Sequence, residues 1–398
     1  MAKKIMLLGG NFFQMTATRA AKQLGYHVID VDYLPENPAH QIADEYYNIS
    51  TLDKEQVLEK ARELQIDGIL SYASDVSAPT AAYVAEALGL PTNPYESVCI
   101  MTHKNLFRQF MREHGYPVPA GGSFTDGQEA LSFFRTLTRP AIVKPIDSSG
   151  SRGVAKVSTD EQFVAAWSEA LSYSREKQVI VEEFIERQGY QIDGDAFMVD
   201  GEIVFWGICD QHHDLVCSPY VPAGLSYPPT QEQATQEKAR RMIRKLLGEL
   251  HMTMGGYNIE YIVGTDGEIY ILEIGPRHGG NLIPDTIRTA TGVDLPMYAV
   301  MQAVGDDCSA LRQEPARTCA TSYIVHARQD GILREVRIDE ETRRRIVCQG
   351  MFARPGEMVR RFTNGSLAVG AMVLTYETPE QMCGAVDHMD EHIQVIVD

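Results

Sequence analysis

The sequence predicts an α/β unit followed by α+β units, and two observations carry this prediction. Short apolar runs alternate with amphipathic segments over the first hundred residues, as strands alternate with helices in a parallel sheet. Further along, predicted strands come in adjacent pairs, which favours antiparallel sheet. The length of 398 residues corresponds to about two to four domains. We therefore expect three domains, at residues 1–95, 96–310 and 311–398.

The N-terminal unit begins with an apolar run at residues 4–8 that is typical of a buried parallel strand. Gly9, Gly10 and Asn11 then form a predicted turn into a helix. Further strands are expected at 26–31 and 68–72, and helices at 16–24, 52–64 and 79–88. The glycine pair is a weak dinucleotide-binding signal, because the GxGxxG spacing is absent, so a tight turn is the favoured interpretation. The whole series predicts a doubly wound parallel sheet.

The charge of the chain excludes several classes of partner. Asp and Glu number 54 against 36 Lys and Arg, which gives a net charge of −18. Binding to nucleic acid or to an anionic membrane depends on Lys and Arg, so we expect neither partner. No apolar run approaches the roughly 20 residues of a membrane span, and the N-terminus resembles no secretory signal. We expect a cytoplasmic protein whose seven scattered cysteines are free thiols.

A predicted hairpin at residues 258–274 carries two glutamates. Asp266-Gly267 is typical of a two-residue type I′ turn, and residues that face each other across such a turn have numbers that sum to 533. Glu260 and Glu273 satisfy that sum, so we expect direct cross-strand neighbours about 5 Å apart at Cβ. The same face is predicted to carry three isoleucines, Ile262, Ile269 and Ile271.

The paired glutamates suggest a metal site. Like charges at facing positions destabilise a sheet unless a cation lies between them. Two carboxylates on a rigid hairpin suit Mg²⁺, which prefers oxygen ligands and completes its shell with water and phosphates. Three other arrangements stay open, namely glutamates that diverge into solvent, a pair that shares a lysine, and a pair that shares one proton.

Two other segments offer groups for an anionic ligand. The stretch 275–281 combines three glycines with Arg277, so its backbone allows close approach and its cation can clamp an anion. The small-residue loop 148–153 follows a strand that ends at Lys144 and Pro145, and its NH groups and hydroxyls suit phosphate oxygens. A flexible hairpin tip is the alternative interpretation of this loop. Together with the glutamate pair, the segments predict a site for a magnesium nucleotide.

These motifs follow one another in a distinctive order, which is Lys104, Val143-Lys144-Pro145, the Ser/Gly loop, Val181-Glu182-Glu183-Phe184-Ile185, Glu260 and Glu273-Ile274-Gly275-Pro276-Arg277. The order resembles the ATP-grasp superfamily of carboxylate–amine ligases. The most similar branch includes biotin carboxylase, the purine-pathway carboxylases and the L-amino acid ligases. The resemblance covers essentially the whole chain. It implies an ATP-grasp fold with a pre-ATP-grasp domain before it and a small barrel-like α+β domain after it.

The resemblance also implies roles for individual residues. Lys104 and Lys144 would contact the phosphates and adenine of ATP, and Lys144 would act in catalysis with Arg277, which would sit over the acyl phosphate. The loop residues over the phosphates would be Ser149, Gly150, Ser151 and Gly153. The adenine contacts would be the Glu182 carboxylate and the backbone of Glu183 and Ile185. Glu260 and Glu273 would hold Mg²⁺ or Mn²⁺.

Two positions depart from the family pattern. Many members have Asn two residues after the second metal glutamate, where this chain has Gly275, so Asn281 or a water is the expected third ligand. Members also place a Glu near the ribose, and the candidates for that role here are Gln191 and Asp193.

The resemblance implies an ATP-dependent ligase. The expected enzyme phosphorylates a small carboxylic acid, an amino acid in the first instance, and couples the acyl phosphate to an amine with release of ADP and phosphate. Alternatives are a bicarbonate-activating carboxylase of the carbamoyl-phosphate-synthase type and a nucleotide-binding regulatory protein with a disabled site. The expected partners are small-molecule substrates, and a homodimer stays open. A predicted long loop at 211–230, with His213 and Tyr220, is expected to shape the acceptor pocket.

Overall fold

The computed structural model describes residues 2–138 and 140–398. The N-terminal elements are β1 (Lys4–Leu8), α1 (Met15–Gln23), β2 (His27–Val31), a 3₁₀ turn (Pro38–Gln41), β3 (Glu45–Tyr47), α2 (Lys54–Leu64), β4 (Gly68–Ser71) and α3 (Ala78–Leu88). The strands form a parallel sheet in the order β3-β2-β1-β4. Helices α2 and α3 cover one face of this sheet, and α1 covers the other. The predicted doubly wound parallel unit is confirmed, with the apolar β1 at its centre.

A second, antiparallel sheet follows. Its region contains α4 (Tyr95–Thr102), α5 (Lys104–Glu113), β5 (Gly121–Phe124), α6 (Gly127–Phe134), β6 (Ala141–Pro145), β7 (Ala155–Val157), α7 (Asp160–Tyr173) and β8 (Val179–Glu183). The strand order is β5-β8-β6-β7. Lys144 on β6 and Glu182 on β8 therefore lie on neighbouring strands.

A third sheet runs from the middle of the chain into its C-terminal part. Before residue 310 the elements are β9 (Arg187–Val199), β10 (Glu202–His213), β11 (Pro222–Tyr227), α8 (Gln233–Glu249), β12 (Gly255–Gly264), β13 (Ile269–Gly275), α9 (Ile283–Thr291) and α10 (Leu295–Ala303). After it come β14 (Cys319–Val325), β15 (Gly331–Ile338), α11 (Glu340–Arg345), β16 (Ile346–Met351), β17 (Met358–Val359), a 3₁₀ turn (Gly365–Leu367), β18 (Gly370–Tyr376), α12 (Pro379–Val386), α13 (Met389–His392) and β19 (Ile393–Val397). The strand order β13-β12-β9-β10-β11-β14-β18-β16 makes one continuous sheet across residue 310, and β17-β15-β19 form a smaller sheet. The three domain ranges stay a prediction.

The buried core behind the paired glutamates comes from helix α8 and strands β12 and β13. Apolar residues on one face of α8 pack against the strands, among them Ile243, Leu246 and Leu247. They meet Ile259 and Tyr261 of β12. Because successive strand residues point to opposite faces, Glu260 faces away from this core. No helix among the described residues is long and apolar enough to span a membrane.

The predicted long loop at 211–230 is wrong. Strand β10 continues to His213 and β11 begins at Pro222, so the connection between the two strands is the short segment 214–221. Pro222 stands at the first position of its strand, where a missing N–H interrupts the ladder least. Pro222 and Pro228 therefore lie at the two ends of β11, and Pro219 lies in the connecting segment.

Segment 214–221 is tied to the C-terminal strands through a buried histidine. His326 Nδ1 lies 2.6 Å from the Ile324 carbonyl and Nε2 lies 3.0 Å from the Asp214 carboxylate. Both partners accept, so both ring nitrogens donate and the imidazole carries a positive charge. Cys217 lies close enough to this pair for a metal to be considered. However, Arg328 also pairs with Asp214 at 2.7 Å, so the carboxylate already has two cationic partners.

This histidine should make stability depend on pH. Burial lowers the pKa of His326, but hydrogen bonds with Asp214, Cys217 and the Ile324 carbonyl outweigh it and raise that pKa from 6.5 to about 9. A pKa raised in the folded state stabilises the protein fully below pH 6.5, and this contribution is lost as the pH rises through about 9. We expect the free energy of unfolding to fall by up to about 3 kcal/mol over that interval. Urea denaturation at a series of pH values measures this loss, which His326→Gln should abolish. An unchanged pH slope in that variant would assign the loss to other groups.

Candidate functional site

The facing positions of Glu260 and Glu273 on β12 and β13 are confirmed, although the predicted turn is wrong. Gly264 and Glu268 close a three-residue loop through a 2.8 Å hydrogen bond, so the pairs near the turn sum to 532. A β-bulge between Glu260 and Tyr261 adds one residue on β13 and restores the sum of 533 beyond it. The longer loop shifts the pairing by one residue, and the bulge shifts it back. The glutamates therefore face each other because of the loop and the bulge together, and not because of a two-residue turn.

The bulge also changes which side chains share the glutamate face. Ile269 and Ile271 belong to the buried core together with Tyr261, on the opposite face of the hairpin. The prediction that both isoleucines lie beside the glutamates is wrong, because the extra residue at the bulge shifts the alternation along β13. Ile262 lies two residues after Glu260 on β12 and therefore stays on the predicted face.

A third strand brings further acidic groups to this face. Asp193 of β9 is the register partner of Glu260, and Asp195 is the partner of Asn258. Gln191 Nε2 donates to Glu260 at 3.2 Å, and Asn258 Nδ2 donates to Asp193 at 2.8 Å. Gln191 and Asp193, the predicted ribose candidates, thus lie against a predicted metal ligand.

The clustering of acidic groups shifts their protonation. Burial raises the pKa of Asp193 to about 7, and the nearby charges of Asp195 and Glu273 add to this shift. Burial, Asp193 and Glu273 likewise hold the pKa of Glu260 well above its ordinary value. Crowded oxygen donors of this kind are stabilised by a divalent cation. The donor set therefore fits Mg²⁺, which Glu260 and Glu273 would hold.

A lysine lies beside the second glutamate. Lys104 is the first residue of α5, and its Nζ lies 3.1 Å from the Glu273 carboxylate and 2.9 Å from the Ser148 carbonyl. The lysine thus links the hairpin to the small-residue loop. Of the arrangements left open by the sequence, the structure comes nearest to the pair that shares a lysine, although Lys104 pairs with Glu273 and not with Glu260 among the described residues.

Lys144 and Glu182 form a buried ion pair on adjacent strands. The second oxygen of Glu182 accepts from Arg108 Nε at 3.1 Å. Burial opposes ionisation of this carboxyl, but the charges of Lys144 and Arg108 outweigh it and lower the pKa of Glu182 to about 2. The carboxylate predicted to contact adenine is therefore ionised and held by two cations.

Arg108 is a site residue that the sequence reasoning missed. Its Nη1 and Nη2 donate to the carbonyls of Ile271 and Leu272, at 3.1 and 2.9 Å, which are the residues of the β13 bulge. One side chain thus fixes both Glu182 and the bulge that aligns the glutamates. Lys104 and Arg108 are four residues apart on α5 and share a helix face, a spacing that could have indicated this role.

Of the two residues whose backbone is predicted to contact adenine, Glu183 already uses its N–H in a hydrogen bond within the protein. Glu183 N donates to the Ala120 carbonyl at 2.8 Å, and its carboxylate accepts from Thr138 N at 2.9 Å. Ile185 N forms no hydrogen bond within residues 2–138 and 140–398. The backbone of Ile185 is thus the more accessible of the two predicted contacts.

The predicted phosphate loop connects β6 to β7 and touches two other parts of the chain. Gly150, Ser151 and Gly153 adopt positive φ values of 66°, 58° and 71°. The Ser151 hydroxyl donates to the Tyr220 carbonyl at 2.7 Å, and Gly365 N donates to the Gly150 carbonyl at 3.1 Å. Within the loop, the Ser149 carbonyl accepts from the Arg152 side chain. The loop is thereby tied to segment 214–221 and to the C-terminal unit.

Arg277 follows the end of β13, and its side chain is held by an ion pair with the N-terminal unit. It pairs with Asp75, and its Nη1 donates to Asn258 Oδ1 at 3.0 Å. Asn281 adopts a left-handed conformation, φ 52°, just before α9, and its side chain forms no hydrogen bond within the described residues. The role of Asn281 as a third metal ligand stays a prediction.

Comparison with known proteins identifies a domain within the chain. The family profile of the ATP-grasp domain matches residues 101–281, the region that holds Lys104, the loop and both glutamates. This region of the chain therefore contains an ATP-grasp domain. The predicted fold is confirmed, and solved structures with the same fold cover the whole chain.

Several known proteins are similar to a larger part of the chain. The carbamoyl phosphate synthase large chain of Vibrio cholerae is 27% identical over 319 residues, which cover 76% of this chain and 29% of that protein. The formate-dependent phosphoribosylglycinamide formyltransferase of Prochlorococcus marinus is 26% identical over 323 residues, covering 79% of this chain and 80% of that one. The crystal structure of L-amino acid ligase from Bacillus licheniformis superposes with a TM-score of 0.82 at 18% identity and covers 100% of this chain and 99% of that one. The chain therefore spans less than a third of the carbamoyl phosphate synthase that it matches.

Proposed function

We propose that this ATP-grasp protein is an ATP-dependent carboxylate–amine ligase. It phosphorylates a small carboxylic acid, an amino acid in the first instance, and couples the product to an amine with release of ADP and phosphate. The observation that carries the proposal is the row of carboxylates on β9, β12 and β13, with Lys104 at one end and Arg277 nearby. Such a row suits a magnesium nucleotide and an acid that becomes phosphorylated.

The chemistry requires an activated acid. A free carboxylate is a poor electrophile, because its leaving group would be oxide. A carboxylate oxygen therefore attacks the γ-phosphorus of ATP, the bond from that phosphorus to the bridging oxygen breaks, and ADP leaves. Mg²⁺ bound by Glu260 and Glu273 would neutralise charge on the phosphates. The remaining work of the site is positioning and electrostatic stabilisation.

Each basic residue around the row of carboxylates has a separate role in positioning or charge stabilisation. Lys104 reaches the phosphates from the N-terminus of α5, and the loop 148–153 covers them with its backbone NH groups. When the nucleotide binds, Lys144 gives up its ion pair with Glu182 and binds a phosphate oxygen. The Glu182 carboxylate can then accept a hydrogen bond from the adenine amino group. Arg277 stabilises the acyl phosphate, since Asp75 and Asn258 already fix its guanidinium beside the row.

The direct test is catalysis by the purified protein. With ATP, Mg²⁺ and the proteinogenic amino acids as both acids and amines, we expect ADP release and a new amide detected by mass spectrometry. ADP release that needs only bicarbonate would instead support a carboxylase, which the similarity to carbamoyl phosphate synthase favours as second candidate. ATP binding without ADP release over a broad panel of acids and amines would support the regulatory alternative. A homodimer and a cytoplasmic location stay predictions.

A further inference from the structure

A cavity of about 90 Å³ lies where the N-terminal unit meets the ATP-grasp domain. Its walls come from β4, α3, the start of β12, the segment after β13, and α10. Most lining side chains are small and apolar. The polar residues that line it include Tyr72, Asn93, Arg277, His278 and Gln302. Arg277 thus belongs both to this cavity and to the carboxylate row.

Four polar atoms of residues that line the cavity lack hydrogen-bond partners among the described residues. They are the Tyr72 hydroxyl, His278 Nε2, Gln302 Oε1 and Arg277 Nε. Tyr72 and His278 are buried, with exposed fractions of 3% and 1%. A buried polar atom without a partner is destabilising, so such groups normally meet a ligand or water. The tyrosine, histidine and glutamine atoms can each accept a hydrogen bond, which suits a guest that carries N–H donors, whereas Arg277 Nε can only donate.

His278 is held in the orientation of a general base. Its Nδ1 lies 2.9 Å from Asp195 Oδ2, and Asp195 Oδ1 accepts from Gly279 N at 2.8 Å. A carboxylate only accepts hydrogen bonds when ionised, so Nδ1 donates to Asp195, and Nε2 has no partner among the described residues. A carboxylate that fixes an imidazole in this way is the arrangement that catalytic histidines use.

His278 lies over the same strand, β12, that carries Glu260 of the proposed reaction site. Gly256, Asn258 and Glu260 alternate along one face of β12. The His278 ring lies over Gly256, where an added Cβ would come within 2.3 Å of Nε2, and Arg277 binds Asn258. Gly256 and Glu260 are four positions apart, which corresponds to about 13 Å along the strand. An acyl phosphate between Glu260 and Arg277 would leave the amine between Arg277 and His278.

We propose that this cavity receives the small primary amine and that His278 is the general base of amide formation, an inference that rests on the proposed ligase function. As the amine nitrogen attacks the acyl carbon, its proton passes to His278 Nε2 and the C–N bond forms. The bond from the acyl carbon to the phosphate oxygen then breaks, and phosphate leaves with the electron pair. Asp195 stabilises the imidazolium until it returns its proton to solvent.

The test compares two nucleophiles in His278→Gln. Hydroxylamine is weakly basic and unprotonated at neutral pH, so it traps an acyl phosphate as a hydroxamate without a general base. With the proteinogenic amino acids as amines, we expect the variant to lose amide formation about 100-fold or more. Hydroxamate formation should change less than about threefold. The control is His392→Gln, which removes a histidine–aspartate pair in the C-terminal unit and should leave both reactions at wild-type rates.

The outcomes separate this inference from the proposed function. Absence of hydroxamate in the wild-type protein with every acid would contradict the ligase itself. Equal loss of both reactions in His278→Gln, or loss of neither, would contradict the role of His278 alone. Tyr72→Phe gives a second measurement that keeps the fold intact, and we expect a several-fold rise in the KM for the amine with an unchanged KM for ATP. An unchanged amine KM would mean that the cavity holds only water.

Discussion

Glu273→Gln should lower ADP release by at least about 100-fold, because it removes one of the two carboxylates that face each other across the hairpin. The substitution keeps the shape of the side chain, but the amide no longer carries the charge that a divalent cation needs. It also relieves repulsion with Glu260 and Asp193, so we expect the free energy of unfolding to change by less than about 1 kcal/mol. ADP release with ATP, Mg²⁺ and the acid and amine panel, together with urea denaturation, measures both effects.

A glutamate at the turn of the same hairpin provides the matched control. Glu268 is exposed, and among the described residues its carboxylate pairs with Lys238 on the surface at 3.5 Å. Glu268→Gln removes the same charge from the same hairpin, so we expect wild-type ADP release. If Glu273→Gln retained wild-type activity as well, the carboxylate pair would have no part in the mechanism.

Arg108→Ala should destabilise the protein by about 3–5 kcal/mol. The substitution leaves the buried Glu182 with one cation and removes the donors to the Ile271 and Leu272 carbonyls. Breaking a buried pair is costly because the partner's charge stays behind. We also expect weaker ATP binding, since both Glu182 and the glutamate hairpin lose their support. Urea denaturation and a titration with ATP and Mg²⁺ measure the two losses.

Arg112 lies one turn further along the same helix and serves as the control. It is exposed, and its side chain donates to the Gly121 carbonyl at 3.3 Å. Arg112→Ala should change the free energy of unfolding by less than about 1 kcal/mol. An Arg108→Ala protein no less stable than Arg112→Ala would show that Glu182 and the bulge do not depend on the guanidinium.

The prediction of the carboxylate pair succeeded through two deviations that cancelled. The sequence pattern predicted a two-residue turn, whereas the chain forms a three-residue loop and a bulge. No local signal marked the bulge, because the groups that hold it belong to Arg108, about 160 residues earlier. The faces of Ile269 and Ile271 were consequently predicted wrongly, while the facing of Glu260 and Glu273 was right.

The loop at 211–230 was mispredicted for a different reason. Its prolines suggested irregular structure, but Pro222 occupies a strand end where it is tolerated. Pairing with β10 and β14 makes the segment a strand. Neighbouring strands therefore override the local preference of this stretch.

The sequence by itself determined the parallel N-terminal unit, the order of the ATP-grasp motifs and the placement of both glutamates on one hairpin. These features depend on periodicity and on spacing within a few tens of residues, which the chain order fixes directly. The tertiary structure alone decided that Asp193 lies beside Glu260, that Arg277 pairs with Asp75, and that a cavity forms around His278. These contacts join segments far apart in sequence, and their register is set by how the sheets pack and not by local spacing.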